Sequence, residues 1–529
     1  MNVESVVGEE VQSSSPTTNF RLPTPAIVII LLYALLAMIV IPVFPHLPSP
    51  NEFTRWALVA AMVEDHSLEV SRVASILGPG FEDLAVVDGR QYSNKAPGLA
   101  LVAAPGYLLA RPLAGPASAG NLRPVLTAMR WFGATLPLLL MTIAFARASQ
   151  ERGGDPTVAV AAMLFATPLF AYGLLLFAHA LTAATLFGAW LLLYLRDRGG
   201  VAAGALIGIA VFSEYPSLLP ALVLVGGLLV LRSWKRLALV ISGGAPFALL
   251  LAAYQKLTFG SAFASPYTYE KLAQYRALAH TGIFGLQPPN FGILAHLLFD
   301  PSRGLFIFAP VIVAGLIALP AARRALPRAS FVTLLATPIA IIAVYSGYPN
   351  WYGGWNVGPR YIIAAIPFLL FPLSLARPSR LTAILTGASA AAVVPLTLIF
   401  PFPDRSFVLP WSTLALPLLR DGLVAPNLFH LVARPLAIAV PFAIVLVALV
   451  LATKRNVVFL ALGAILTFAL GALAPAPTLT TRLRLGYLEE VYFERTGAMS
   501  RAVGGLPLPP RAVARAQSET TLPPTSWPF

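Results

Sequence analysis

The chain has no cysteine. Disulfides, thiolate catalysis and Cys-ligated metals are thereby excluded, and the redox compartment stays undetermined. Charge is also scarce. Only 11% of residues are charged, where a soluble domain carries about 25%. There are six histidines, and none stands at ligand spacing from another. No metal set is written in the sequence. A Walker loop, a serine elbow and a His-Glu-x-x-His helix are all missing as well, so the chemistries that need them lack their residues.

Apolar length is what the chain has in quantity. Its mean hydropathy is +0.77. Repeated apolar runs of roughly 17–22 residues fit the hydrocarbon core of a bilayer. The reading is an all-α, multi-pass membrane protein rather than a chain with one large soluble core. The first run, Ala26 to Phe44, is too long for a typical signal segment and has no small-residue cleavage site. It reads as a retained first span. The formal charge of +14 would suit a nucleic-acid partner, but its distribution does not. Basic residues recur in short loops: Arg147/Arg152, Arg196/Arg198, Arg232/Lys235/Arg236, Arg323/Arg324/Arg328, Arg377/Arg380 and Lys454/Arg455. Only Glu151, Asp155 and Asp197 oppose them there. This is the positive-inside pattern, which sets orientation.

The basic loops then fix a topology. Residues 1–23 are polar and read as a disordered cytoplasmic N-terminus. The transmembrane domain covers 24–474. Its spans are expected at about 25–44, 129–146, 157–177, 180–195, 201–215, 217–231, 237–256, 303–320, 331–347, 361–376, 381–400, 436–452 and 457–474. That makes about thirteen. The apolar piece 98–113 is short and interrupted by Pro105, so it reads as a non-crossing juxtamembrane helix. The external face carries 45–126, 258–302, 348–360 and 403–434, and 475–529 is a short external C-terminal tail.

The first external loop is the polar centre of the chain. Residues 48–97 hold seven of its 22 carboxylates. Ser49-Pro50 followed by Glu52 predicts a helix start, with Ser49 as N-cap and Glu52 near the first turn. Glu52 has two readings: a capping carboxylate, or a base at the membrane–water boundary that takes a proton from an acceptor. Phe53, Trp56, Ala57, Ala60 and Ala61 predict a helix face lying on the bilayer surface. Val86 to Tyr92 predicts a β-hairpin with an Asp88-Gly89 turn. The hairpin delivers Tyr92, Ser93, Asn94 and Lys95 to the start of the next helix. There Lys95 and backbone N–H groups form an anion site; the alternative for Lys95 is snorkelling to lipid phosphate.

Farther along, Arg303 and Arg360 sit at external mouths of spans, where a planar fork reads phosphate. The segment Trp351-Tyr352-Gly353-Gly354-Trp355-Asn356-Val357-Gly358-Pro359-Arg360-Tyr361 clusters rings with glycines. Interfacial rings are usually belt residues. Here glycine permits close backbone approach and flat rings suit sugar faces or an isoprenoid. His179 and Glu214 fall at outer span ends, as functional candidates or hydrated interface groups.

Asn51-Glu52 after the first span, then Lys95-Ala96-Pro97 opening a juxtamembrane helix, then about thirteen spans and an external C-terminal piece, resemble one known group. It is the type C glycosyltransferases of the dolichyl/undecaprenyl-phosphate class. In layout the chain is most similar to protein O-mannosyltransferases and the aminoarabinose-lipid A transferase. The segments Asp300 to Phe306 and Trp351 to Tyr361 look like those of uncharacterised bacterial members. The resemblance implies transfer of a sugar from a polyprenyl-phosphate donor to an acceptor on the outer face. The family's catalytic carboxylate occupies the first position of an acidic pair, which is Asn51 here. The role then passes to Glu52 or to a later carboxylate, Asp65 or Asp88. Arg55, Lys95, Arg303 and Arg360 are candidates for the donor phosphate. Tyr92, Asn94, His179, Glu214, Trp351, Tyr352 and Trp355 are candidates for sugar or acceptor. No cofactor is obligatory, and no ligand set in the sequence supports a divalent metal. The partners implied are a polyprenyl-phosphate-linked sugar, membrane lipid and an acceptor of unspecified kind, with no nucleic acid. The location implied is a bacterial inner membrane with the site on the periplasmic or extracellular side. The rival readings are a transporter or flippase of lipid-linked sugars, a surface-glycan polymerase or ligase, and a non-catalytic scaffold. A transporter would place charge and broken helices at mid-membrane, whereas here the charges gather at one face.

Overall fold

The computed structural model describes residues 22–504 apart from 47, 79, 80 and 503. The expected disordered stretch 1–23, save its last two residues, and the tail's residues 505–529 lie outside the described residues. The architecture is helical, with a single two-stranded hairpin among the described residues. Helix forms at every stretch expected to be an apolar span. Among the described residues, six helical stretches are long and apolar enough to cross a membrane. They are Ala119–Gln150, Ala178–Leu195, Trp234–Phe259, Arg328–Tyr345, Arg380–Ile399 and Arg434–Ala472. The last is interrupted at Lys454–Asn456, where Lys454 takes φ +42°.

Two expected spans are broken rather than continuous. The 157–177 stretch divides into Thr157–Phe165 and Leu169–Tyr172 around Pro168. The 303–320 stretch divides into Leu305–Phe308 and Val311–Ile317 around Pro310. Proline lacks the N–H that continues the ladder and clashes with the preceding turn. Such breaks are tolerable where protein surrounds them, and every residue of Thr157–Phe165 is buried. Glycine decides another pairing. The helices Gly200–Ser213 and Trp234–Phe259 approach so closely that a Cβ on Gly204 or Gly243 would lie 2.0 Å from the carbonyl oxygen of Val240 or Val201.

The stretch expected as the first external loop folds as a unit with its own apolar core. It contains Pro50–Glu64, Ser71–Ile76, the strands Leu84–Val87 and Arg90–Ser93, and Gly98–Ala114. Trp56, Leu58, Val73, Leu84, Leu99 and Tyr107 meet inside it. The hairpin has the expected turn, with Asp88 at φ +50° and Gly89 at φ +79°. Two expectations fail here. The helix Pro50–Glu64 does not lie on a bilayer surface, because residues 51–61 are all buried. Ala57, Ala60 and Ala61 are small enough for neighbours to close on that face, and the polar side chains of the other face find protein partners. Ser49 is the N-cap residue but makes no side-chain cap bond, and Glu52 caps nothing.

Gly98–Ala114 is a 17-residue helix that continues through Pro105 and Pro112. Gly106 lets it close on Leu122–Arg130: a Cβ there would sit 2.4 Å from the Ala128 oxygen. At the other end of the chain, Leu479–Tyr492 is a helix folded onto the main core. Its Tyr487, Leu488, Val491 and Tyr492 are buried. This part of the expected tail therefore belongs to the body.

Candidate active site

Loops and helix ends enclose one large cavity of about 1550 Å³. Its walls come from 48–55, 77, 81–83, 95–96, 178–179, 213–219, 263–289, 343–361, 404–405 and Tyr492. These are the segments expected on the outer face. Eight of the chain's 16 tyrosines line it. One flank is apolar, with Leu218, Leu219, Phe263, Ile283 and Phe284.

Two arginines face this space, Arg55 buried and Arg360 half-buried. Arg55 donates to the Asn51 carbonyl oxygen at 2.6 Å and to the Asn51 side chain. Burial lowers its guanidinium to about 10. Arg360 donates to the Gly353 carbonyl and lies 5.4 Å from the Phe177 ring centre and 4.9 Å from that of Tyr361. Among the described residues, neither Arg55 Nε nor Arg360 Nε has a hydrogen-bond partner. A buried donor without a partner is costly; the two side chains also line the cavity, where their positive charge favours an oxyanion.

A carboxylate cluster stands beside them. Lys95 Nζ donates to Asp83 Oδ1 at 2.7 Å. Asn94 Nδ2 donates to Asp83 Oδ1 at 2.6 Å and to the two Glu270 oxygens at 2.9 and 2.8 Å. Burial works against the Asp83 charge, but the Lys95 ammonium and the hydrogen bonds from Asn94 and Lys95 outweigh it and hold the carboxyl below its usual range. Burial pushes the Glu270 carboxyl up to about 7, with Lys95 pulling it down and Asp83 adding to the rise. The backbone fixes Glu270 here: Lys271 N–H donates to the Leu84 oxygen at 2.8 Å, docking the 266–271 segment on the hairpin.

A third group lies between the helix ends. His179 Nδ1 is 3.1 Å from Glu214 Oε1, and the Tyr345 hydroxyl donates to the same oxygen at 3.0 Å. The Tyr345 ring stacks on Tyr361 with centroids 5.0 Å apart.

The sequence candidates divide accordingly. Arg55, Lys95, His179, Glu214, Tyr352, Trp355 and Arg360 line the cavity. Glu52 does not. It is 1% exposed, and both its oxygens accept from Arg130 at 2.8 Å while Oε1 also accepts from Leu176 N–H at 2.6 Å. Asp65 pairs with Arg72 at 2.7 Å away from the cavity. Asp88 is exposed at the hairpin turn. Tyr92 packs edge-on against Phe259, and Asn94 is buried behind Lys95, holding the carboxylates. Trp351 stacks on His296 at 4.5 Å, outside the cavity lining. Arg303 is 1% exposed and donates to the Tyr352 carbonyl and, at 2.9 Å, to that of Gly354. It shapes the loop that carries Arg360. Asp83, Glu270 and Tyr345 carry no motif in the sequence. Asp83 could have been noted as one of the first-loop carboxylates just before a strand; Glu270 and Tyr345 are placed only by packing.

No protein family's profile matches the chain, and no curated protein matches it. Solved structures do show likenesses. ArnT from Cupriavidus metallidurans, bound to undecaprenyl phosphate, is 18% identical over 84% of this chain and 75% of that one, with a TM-score of 0.46. The Archaeoglobus fulgidus oligosaccharyltransferase tethered to an acceptor peptide containing the NVT sequon is 15% identical, with a TM-score of 0.41. AglB from the same organism, with an inhibitory peptide and a dolichol-phosphate, is 15% identical, with a TM-score of 0.35. Each of these two matches covers 95% of this chain but only 61% of the archaeal protein.

Proposed function

We propose that this chain is a membrane glycosyltransferase, moving a sugar from a polyprenyl-phosphate donor to an acceptor hydroxyl or amine. The observation that carries the proposal is the pair of guanidiniums, Arg55 and Arg360, lining one cavity with the Asp83–Lys95 pair. The arginines hold the donor phosphate. Lys95 adds positive charge beside it and orients Asp83. The apolar flank at Leu218, Leu219 and Phe263 takes the first units of the prenyl chain, and Tyr352 and Trp355 give flat faces to the sugar.

The reaction is a single displacement with inversion. The acceptor oxygen or nitrogen forms a bond to the anomeric carbon as the bond from that carbon to the phosphate oxygen breaks. The electron pair leaves with the phosphate, where Arg55 and Arg360 stabilise the growing charge. Asp83, held ionised, takes the acceptor proton. Glu270 shares the same hydrogen-bonded cluster and is the group to which that proton passes. The donor bond supplies the energy, so no nucleotide is needed.

The test is mass analysis of lipid-linked sugars and surface glycans from cells with and without the gene. Loss of one glycan with accumulation of its polyprenyl-phosphate sugar is the expected result. Identical profiles would overturn the proposal. Complementation by Asp83→Asn is expected to fail, with turnover lower by about 10²–10⁴-fold.

A further inference from the structure

Glu214 sits at the C-cap of Gly200–Ser213, where the chain leaves the helix in an extended conformation. Its carboxylate is a half-buried acceptor for Tyr345 and a partner for His179. Each of these two rings supports another. Tyr345 lies nearly parallel to Tyr361, at 13° and 5.0 Å. His179 lies on Phe177, at 27° and 6.1 Å, and its edge meets Tyr361 at 6.3 Å. Tyr361 and Phe177 are the two rings against which the Arg360 guanidinium lies. One carboxylate thus holds the two side chains that brace the two rings flanking the arginine.

We infer that Glu214 is a positioning residue for Arg360: it fixes, through Tyr345–Tyr361 and His179–Phe177, the plane in which the guanidinium meets the donor phosphate. This rests on the proposed phosphate role of Arg360. An arginine fork recognises an oxyanion only in register with it. A guanidinium held by ring faces and one carbonyl needs those faces fixed, because a cation–π contact has no directional bond of its own. Tyr361 is adjacent to Arg360, so any tilt of its ring is transmitted at once.

The experiment uses the full chain in lipid nanodiscs and two probes, farnesyl phosphate and farnesol. The ratio of their affinities isolates phosphate recognition, since a loosened cavity weakens both alike. Wild type is expected to favour the phosphate, and Arg360→Ala to lose most of that preference. Glu214→Ala and Tyr345→Phe are each expected to lower the ratio by about tenfold, within the range of contacting pairs. Tyr345→Phe removes one hydroxyl and leaves the ring, so it serves where Glu214→Ala does not fold. Glu214→Gln keeps an acceptor oxygen and is expected to retain most of the preference. In the Arg360→Ala background, Glu214→Ala should lower the ratio no further. An equal loss in both backgrounds would overturn the inference and make Glu214 a direct ligand contact. So would an unchanged ratio in both Glu214→Ala and Tyr345→Phe, with wild type still preferring phosphate. A wild type without preference would overturn the phosphate reading itself, and the inference with it.

Discussion

Glu52 and Glu270 are both buried carboxylates in or against the first external loop, yet their partners give them opposite behaviour. Glu52 meets Arg130 in a two-point pair at 2.8 Å, with both side chains inside the protein. Removing one member of such a pair strands the other charge, at about 3–5 kcal/mol. Glu52→Gln should therefore lower stability by that order, as read by thermal unfolding in detergent. Protein that stays folded should keep its turnover. A stable but inactive Glu52→Gln protein would return the base role to Glu52. Among the described residues, Glu270 has no cation bonded to its oxygens, only Asn94. Its carboxyl titrates near 7 in the folded chain, above the ordinary value of about 4.3. Between those values the folded chain holds a proton that the unfolded chain has released. The stability contribution of this group therefore falls as pH rises through that window, and levels off above about 7. Glu270→Gln cannot ionise, so its melting temperature should gain on wild type from pH 5 to pH 8. A constant offset across that range would show that Glu270 is ionised throughout.

Two elements depend on glycine for opposite reasons. In the loop 351–361, Gly353 takes φ +64°, and a Cβ there would lie 2.9 Å from Arg360 Cδ and 3.0 Å from the Tyr361 ring. Backbone conformation and space both exclude a side chain. Arg303 and Asn356 then knot the loop, Asn356 Nδ2 donating to the Tyr352, Gly353 and Gly354 oxygens at 3.0, 3.1 and 2.9 Å. Gly353→Ala should displace Arg360 and weaken farnesyl phosphate binding by about tenfold or more, with farnesol binding nearly unchanged. Arg303→Lys should do the same more mildly, because an ammonium can replace the Nη1 that serves both carbonyls but not the Nε–H that donates to Ser302. Equal weakening of both probes would place the effect in the cavity at large. Between Gly200–Ser213 and Trp234–Phe259 the glycines serve close packing alone. Gly243→Leu should separate the pair and lower thermal stability without changing the preference between the probes.

At the scale of the molecule, every wall of the cavity comes from segments that the basic loops assign to the same side of the membrane. A chain without cysteine lets this be checked one position at a time. Thr281 is exposed in a segment expected outside, and Lys235 is exposed at the start of Trp234–Phe259, on the side expected inside. A membrane-impermeant maleimide applied to intact cells should label Thr281→Cys and spare Lys235→Cys until the cells are opened. The reverse pattern would invert the topology and put the site on the cytoplasmic face.

Helical class, the positions of the apolar stretches, the hairpin at Asp88-Gly89 and the polarity of one face were all legible in the residues. Each rests on local composition: run length against bilayer thickness, turn chemistry, and the spacing of basic loops. The proline breaks at Pro168 and Pro310 were also written in the sequence, though the unbroken apolar runs around them hid the outcome. Tertiary structure decided the rest of the site. Glu52, beside Asn51 and Arg55 in sequence, turns to Arg130, 78 residues away, while Arg55 turns to the cavity. Neighbours on a helix face different partners, so adjacency to a motif does not assign a side chain. Asp83 and Glu270 meet across Asn94 only because the 266–271 segment docks on the hairpin edge. Arg303, which reads from sequence as a phosphate ligand, turns its Nη1 to two carbonyls of a loop about fifty residues on. A side chain's charge follows from its type. What that charge meets is set by contacts between segments far apart in the chain, and only the folded molecule brings them together.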